Sequence, residues 1–216
     1  MAKLPFEIDI VLDRIREAVS TLPKAAMFEL HEDGYTSLFE QLISCLISVR
    51  TYDEVSLPVS RRLFARARTP EAIAQLTPEE IETLIRDCTY SEQKARQIHA
   101  IATQVATEYA GELPADLNVL MSFKGIGIKC AHLALGIACN QPHISVDTHV
   151  HRITNRWGYI ETKTPEKTTI ALEAKLPQRY WIEINQLLVP FGKHICTGKR
   201  PHCLQCPVLD WCEQKI

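Results

Sequence analysis

The chain has 216 residues, of which 46% are hydrophobic and 23% are charged, and its net charge is −2 with a pI of about 6.4. This composition is ordinary for a globular protein, and the chain is too short for two large independent domains. The charged N-terminal stretch argues against a signal peptide, and no apolar run predicts a membrane span, so we expect a cytoplasmic protein with no membrane partner. The net charge makes no global case for nucleic acid, so a nucleic-acid face would have to be local.

Helix-start signals recur along the chain. Thr-Pro-Glu begins at Thr69, Thr77 and Thr164, and Thr77 has capping-box spacing to Glu80. Residues 36–49 are apolar on most sides, as expected of a central buried helix. The only β-like run, 143–146, is very short, so we predict about ten short helices and an all-α fold.

Residues 123–131 read FKGIGIKCA and join two predicted helices. The pattern predicts a helix–hairpin–helix over about 117–138, with Asp116 capping its first helix. Gly125 and Gly127 would let the backbone approach a ligand closely, and the free N–H groups of the next helix favour an anion such as a DNA phosphate. By itself, this short pattern is more often a plain turn between helices.

Asp147 follows the β-like run and precedes a helical pattern, so we predict that it caps the next helix. A cap alone would account for this residue and is worth about 1 kcal/mol. A carboxylate at a helix N-terminus also stays ionised, because the helix dipole and the N–H bonds favour its charged form.

Eight cysteines without a secretion signal argue against a disulfide scaffold. We expect Cys45, Cys88, Cys130 and Cys139 to be buried as small hydrophobic residues. The other four have the spacing C-x6-C-x2-C-x5-C, which is typical of a metal site. Irregular spacing modestly favours an iron–sulfur cluster over zinc. These four residues are Cys196, Cys203, Cys206 and Cys212.

The hairpin, the segment VDTHVHRITNR and the cysteine spacing, in that order, closely resemble the endonuclease III family of DNA glycosylases. The resemblance covers about residues 30–212 and implies a [4Fe–4S] cluster on the four cysteines. It also implies an all-helical, two-lobed fold with a DNA groove between the lobes. A helical-barrel domain would span 32–141, and a cluster domain would combine 1–31 with 142–216.

The resemblance further implies a base-excision-repair enzyme that acts on a damaged base flipped out of duplex DNA. Lys129 would attack C1′, expel an oxidised pyrimidine and form a Schiff base, and β-elimination would then cut the strand. Asp147 would stabilise the positively charged sugar and assist proton transfer. We expect a monomer, located at the nucleoid if the source is bacterial.

Departures from the family pattern lie where the duplex would be opened. Arg50 stands where the family has glutamine, and Thr89 stands at the wedge position in a loop that is one residue longer. Lys124 replaces a proline in the hairpin and adds a positive charge near the expected phosphate. A monovalent cation is expected at the hairpin. The residues expected to contact DNA are Lys124, Gly125, Gly127, Arg50, Thr89, His149, Arg152, Lys199 and Arg200.

Two alternatives remain at this point. One is a monofunctional glycosylase for mismatched or alkylated bases, which would use Asp147 without a covalent lysine intermediate. The other is a weakly active protein that binds lesions or abasic sites, because Arg50 and Thr89 could have impaired base flipping.

Overall fold

The computed structural model describes residues 3–215, and every regular element in that range is helical, which confirms the all-α prediction. Segment 143–146 has no regular structure. Within the described residues, no helix has both the length and the apolar character needed to cross a membrane. The α-helices, numbered α1 to α12 in chain order, are Ile8–Val19, Ala26–Glu32, Leu38–Ser48, Asp53–Arg66, Pro70–Ala74, Pro78–Ile85, Ser91–Glu108, Leu117–Ser122, Ile128–Cys139, Thr148–Arg156, Pro165–Lys175 and Glu183–His194. Three short 3-10 helices are Gln178–Tyr180, Cys203–Gln205 and Leu209–Trp211.

The helices begin where the capping signals predicted. Thr77 accepts a hydrogen bond from the backbone N–H of Glu80, and the Glu80 carboxylate accepts one from the N–H of Thr77 at 2.8 Å. The side chains of Thr69 and Thr164 also cap α5 and α11, by accepting hydrogen bonds from the N–H groups of Ala72 and Lys167, and each is followed by proline at the first helical position. Each cap satisfies backbone donors that the helix itself leaves without partners.

The chain divides into two compact units. One unit combines Met1–Ala25 with Pro142–Ile216, and the other is Ala26–Gln141. Residues 1, 2 and 216, which fall in the predicted cluster domain, lie outside the described residues.

In the unit Ala26–Gln141, helix α3 is the central element. It packs against α4 and α9, while α7 packs against α5 and α6. Its side chains are buried almost all round, so the helix gains its stability from tertiary packing rather than from one amphipathic face. The buried residues of α3 are Leu38, Phe39, Glu40, Gln41, Leu42, Ile43, Ser44, Cys45, Leu46 and Ile47.

In the other unit, α1 and α10 both pack against α12. Trp157 and Phe191 are the largest fully buried side chains of this core, with 2% and 0% of their surface exposed. Cys196, Cys206 and Cys212 pack against its edge. The core therefore supports both α10, which follows Asp147, and the cysteine-rich segment.

Candidate functional site

The hairpin between α8 and α9 is a tight turn. The N–H of Ile126 donates to the carbonyl oxygen of Phe123 at 3.1 Å. Gly125 has φ +96°, and a Cβ atom there would lie 2.4 Å from the side-chain nitrogen of Gln97 on α7. The backbone conformation therefore favours glycine at this position, and a Cβ would also displace the end of the Gln97 side chain.

Gly127 has a different reason to be glycine. It is the N-cap of α9 with an ordinary negative φ of −100°, and a Cβ there would meet nothing within 4 Å. No side chain caps the first turn of α9. The missing side chain thus leaves the first N–H groups of the helix open to an incoming anion, and Lys124 is exposed in the same turn.

Lys129 is the second residue of α9 and is half-buried. Its positive charge lies close enough to Cys45 and Cys130 to lower the pKa of both thiols, against larger opposing effects at Cys130. The hairpin thus places an amine one residue inside the helix whose N-terminal amides are open.

Asp147 caps α10, which confirms the predicted cap. Its Oδ1 atom accepts hydrogen bonds from the backbone N–H groups of His149 at 2.9 Å and Val150 at 2.8 Å. The carboxyl group is half-buried. Two charge-assisted bonds fix its orientation at the positive end of the helix.

The side chain of Arg152 donates hydrogen bonds to backbone carbonyl groups in the same unit. Its Nη2 atom donates to the carbonyl oxygens of Gly192 and Cys196, both at 2.9 Å, and lies 3.1 Å from Nδ1 of His149. A Cβ at Gly192 would lie 2.3 Å from the same His149 nitrogen. His149 and Arg152 therefore pack onto α12 and hold the end of that helix, and this arrangement favours a positioning role over a direct contact with phosphate.

Four cysteines line one apolar pocket. Burial raises the pKa of Cys206 to about 11, with smaller contributions from the other three thiols, which places all four sulfurs within electrostatic reach. Within residues 3–215, no three His, Cys, Asp or Glu side chains lie close enough together to hold a single metal ion. The four cysteines are Cys196, Cys203, Cys206 and Cys212.

Arg156 ends α10 and is buried beneath the cysteine loop, with 7% of its surface exposed. Its guanidinium donates to the carbonyl oxygens of Thr197 and Gly198, each at 2.6 Å, and approaches Sγ of Cys196 at 3.6 Å. Its own carbonyl oxygen accepts from the thiol of Cys212 at 3.4 Å. The side chain of Arg156 thus fixes the start of the loop, and the backbone carbonyl of Arg156 contacts the final cysteine, Cys212.

The loop held by Arg156 carries two exposed basic residues, Lys199 and Arg200. The hydroxyl of Thr197 donates to the carbonyl oxygen of Arg200 at 2.6 Å, which closes a tight turn. The loop therefore presents cationic side chains from a backbone of defined shape.

Two exposed loops of the unit Ala26–Gln141 are joined to each other. The hydroxyl of Thr89 donates to the carbonyl oxygen of Arg50 at 2.8 Å, and the Arg50 guanidinium donates to the Tyr90 hydroxyl at 3.4 Å. Arg50 and Tyr90 both have left-handed backbones, with φ of 54° and 58°. Non-glycine residues rarely adopt this conformation, and such strain concentrates at functional loops.

The side chain of Thr89 is used to join these loops, whereas the neighbouring Tyr90 is 57% exposed. Tyr52, in the loop that carries Arg50, is 81% exposed. The exposed ring in the longer loop is therefore Tyr90, one residue beyond the position that the sequence indicated.

Lys94 supports the loop that carries Arg50 from below and is 3% exposed. Its Nζ atom donates to the carbonyl oxygens of Ile47 and Val49 at 2.6 and 2.7 Å and to the Thr51 hydroxyl at 3.0 Å. These bonds satisfy carbonyls at the C-terminal end of α3. Burial lowers the pKa of this amine, with smaller opposing effects from Cys88 and Cys130.

Sequence reasoning did not identify the roles of Lys94, Arg156 and Tyr90. By spacing, Arg156 only shares a helix face with Arg152, four positions earlier, and spacing cannot tell a surface arginine from one that bonds backbone carbonyls. Lys94 gave no signal as a single buried lysine, since lysine is rarely buried.

The comparisons with known proteins extend over most of the chain. The family model described as HhH-GPD superfamily base excision DNA repair protein matches residues 43–178. Endonuclease III of Thermotoga maritima is 38% identical over 198 residues, which cover 92% of this chain and 90% of that protein. Two solved structures, a non-covalent endonuclease III–DNA complex and a trapped endonuclease III–DNA covalent intermediate, are each 28% identical. They match with TM-scores of 0.82 and 0.81 and cover 96% of this chain and 94% of theirs. By the extent of these matches, the chain belongs to the endonuclease III family within the HhH-GPD superfamily of base-excision DNA repair proteins.

Proposed function

We propose that Lys129 and Asp147 carry the chemistry of this chain on damaged duplex DNA. The chain is a bifunctional base-excision DNA glycosylase and AP lyase. Its substrate class in the proposal is oxidised pyrimidines in double-stranded DNA. The observation that carries the proposal is the hairpin, which leaves the first N–H groups of α9 open at Gly127 and places an amine at the next residue but one.

The hairpin would bind a backbone phosphate beside the lesion. The open amides after Gly127 and the positive end of α9 favour a negative charge. The exposed Lys124 adds a cation whose attraction to phosphate is independent of sequence. This phosphate contact would position the DNA strand on the protein without recognising the base sequence.

Lys129 would act as the nucleophile. Its unprotonated Nζ attacks C1′ of the flipped nucleotide, the N-glycosidic bond breaks, and the base leaves with the bonding electrons and gains a proton. The C1′–O4′ bond of the resulting aminal then opens, O4′ takes up a proton, and a Schiff base remains between Nζ and C1′. Removal of a proton from C2′ breaks the C3′–O bond, so the 3′ phosphate departs and the strand is cut.

Asp147 would stabilise positive charge that develops on the sugar and accept the proton that the amine loses. Its two backbone hydrogen bonds hold the carboxylate in place before the reaction, so little reorganisation accompanies the charge change. One oxygen atom, Oδ1, accepts both bonds, and Oδ2 is left for chemistry.

The proposed cofactor is a [4Fe–4S] cluster on the four cysteines of the pocket. Four thiols around one pocket, with no three donors close enough for a single ion in the described range, suit a polynuclear group better than zinc. When bound, such a cluster would crosslink the loop and fix its shape. Arg156 would hold the same loop from beneath and orient Lys199 and Arg200 towards phosphates.

The joined loops that carry Arg50 and Tyr90 would contact the duplex at the lesion. Arg50 could occupy the space that the extruded base leaves, by stacking or by hydrogen bonding to the orphan base. The strained left-handed backbones would hold both side chains outward.

A panel of duplexes tests this function, with thymine glycol, dihydrouracil, a uracil mismatch and an abasic site as separate lesions. Base release and strand cleavage are scored separately, and borohydride is added to reduce any Schiff base. We expect release and cleavage on the oxidised pyrimidines, with a covalent adduct that Lys129→Ala abolishes. Base release without an adduct would instead indicate a monofunctional glycosylase, and binding without release would indicate a lesion-binding protein.

A further inference from the structure

Two cysteines outside the pocket form a close buried pair. Cys45 on α3 and Cys130 on α9 have their Sγ atoms 2.7 Å apart and hydrogen-bonded, with 0% and 4% of their surfaces exposed. This separation is only about 0.7 Å longer than a disulfide bond. Like Cys88, both are buried as the sequence predicted, but burial as small hydrophobic residues does not account for sulfurs that meet this closely.

We propose that Cys45 and Cys130 are a redox modification site, at which hydrogen peroxide forms a reversible disulfide that ties α3 to the first turn of α9. The two helices already pack directly against each other, so bond formation needs only a small shift of the two side chains. The residues are 85 positions apart, so the bond would also close a long loop in the unfolded chain.

The surroundings divide the two thiols into an attacking and a resolving sulfur. The hydrogen bond with Cys130 lowers the pKa of Cys45, and the positive charge of Lys129 lowers it further, against the effect of burial. The hydrogen bond with Cys45 and burial raise the pKa of Cys130 well above its ordinary value. Since the thiolate is the reactive form, Cys45 is the sulfur that attacks peroxide.

The reaction balances as two steps. The Cys45 thiolate attacks one peroxide oxygen, the O–O bond breaks, and a sulfenic acid forms while hydroxide takes up a proton to become water. The Cys130 sulfur then attacks Cys45 and gives up its proton, and the sulfenic oxygen leaves as a second water. The sulfur pair loses two electrons, and the peroxide gains them. Peroxide is small enough to reach the pair through local opening of the start of α9.

The position of the pair gives the bond a consequence for the neighbouring residue. Cys130 follows Lys129 directly, so a crosslink to α3 would restrain the turn that carries the amine. We expect slower borohydride trapping of an abasic-site duplex after oxidation, with recovery after reduction. This consequence rests on the proposed role of Lys129.

The bond itself is tested without any activity. The cluster-containing protein is exposed to hydrogen peroxide, alkylated under denaturing conditions and digested, and linked peptides are identified by mass spectrometry. We expect a peptide joining Cys45 to Cys130, sensitive to dithiothreitol, in wild type and in the control Cys88→Ala. It should be missing from Cys45→Ala and Cys130→Thr. Oxidised wild type in which both thiols remain alkylated, or pair with other cysteines, would overturn the proposal.

Two further measurements separate the parts of the proposal. The midpoint of chemical unfolding should rise on oxidation of wild type and of Cys88→Ala, and stay unchanged in Cys45→Ala. If the linked peptide forms while trapping continues at the same rate, the coupling to Lys129 is wrong. If reduced wild type itself fails to trap, the proposed function is wrong, whatever the peptides show.

Discussion

Nη2 of Arg156 donates a hydrogen bond of 2.6 Å to the carbonyl oxygen of Gly198. This contact joins the last turn of α10 to the cysteine loop, and Asp147 caps the first turn of the same helix. A nine-residue helix therefore connects the proposed catalytic carboxylate with the proposed cluster loop in one unit.

Replacing Arg156 with methionine should weaken cluster retention. Methionine fills part of the same space but leaves the carbonyls of Thr197 and Gly198 without their donor, at a cost of about 1–3 kcal/mol each. Loss of a group that orients metal ligands typically lowers affinity about 10- to 100-fold. We expect less iron per chain and weaker visible absorbance after incubation with a chelator.

Lys199→Ala is the matched control, because Lys199 is exposed in the same loop. It should keep its iron and its absorbance, while binding DNA more weakly and with a smaller dependence on salt. Equal iron retention in the two variants would contradict the role given to Arg156.

Asp147→Asn separates the cap from the chemistry. The asparagine side-chain oxygen can accept the same two N–H bonds, so the free energy of unfolding should change little. Base release should nevertheless fall about 10²–10⁴-fold, because the negative charge and the proton acceptor are lost. Asp147→Ala should lose activity and about 1 kcal/mol of stability as well. Thermal unfolding and single-turnover base release check both, and an active Asp147→Asn would refute the catalytic role.

Lys129→Ala should remove the covalent adduct and lower strand cleavage by at least about 10³-fold, because no amine remains to form the Schiff base. Lys124→Ala, in the same hairpin, should bind DNA more weakly but still give the adduct. Borohydride trapping on an abasic-site duplex measures both. An adduct that persists in Lys129→Ala and vanishes in Lys124→Ala would reassign the nucleophile.

Gly125→Ala and Gly127→Ala should fail in opposite ways. Alanine at position 125 must adopt a left-handed backbone and meets Gln97, so we expect a loss of about 2 kcal/mol in unfolding free energy. Alanine at position 127 meets nothing, so stability should change by less than about 0.5 kcal/mol. Its methyl group would instead hinder the approach of the phosphate. We expect DNA binding to weaken about 2- to 5-fold, which corresponds to about 1 kcal/mol or less.

Urea unfolding and DNA titration together check this pair. A loss of stability in Gly127→Ala with unchanged DNA affinity would contradict the prediction, because Gly127 would then act in folding and not in DNA binding.

Lys94→Met should destabilise the unit Ala26–Gln141 by about 3 kcal/mol, because carbonyls at the end of α3 lose a buried donor. The loss should depend on pH. Burial lowers the pKa of Lys94, so between that lowered value and 10.5 the unfolded chain binds more protons than the folded chain. Stability contributed by Lys94 therefore rises with pH across this window.

The raised pKa values of Cys88 and Cys130 have the opposite effect on stability. The folded protein keeps those protons to higher pH than the unfolded chain, so the stability that these thiols contribute falls as the pH rises. Urea unfolding of wild type and Lys94→Met at several alkaline pH values isolates the lysine. A difference between them that stays constant with pH would show that the amine binds protons equally in the folded and unfolded chains, so that burial does not lower its pKa.

The sequence alone determined the helical character, the caps at Thr77, Asp116 and Asp147, and the hairpin with its two glycines. These features depend on residues within about four positions of one another, where turn chemistry and helix periodicity act directly. The order of three short motifs also sufficed for the family, since each motif is local.

Only the tertiary structure decided which polar side chains form hydrogen bonds within the protein and which stay exposed to solvent. Arg152 and Arg156 look alike in sequence, yet both bond backbone carbonyls more than 40 positions away, while Lys199 stays exposed. Cys45 and Cys130 meet because α3 packs on α9, across 85 residues that no periodicity relates. Burial and long-range hydrogen bonding depend on how helices pack, and a linear pattern does not contain that information.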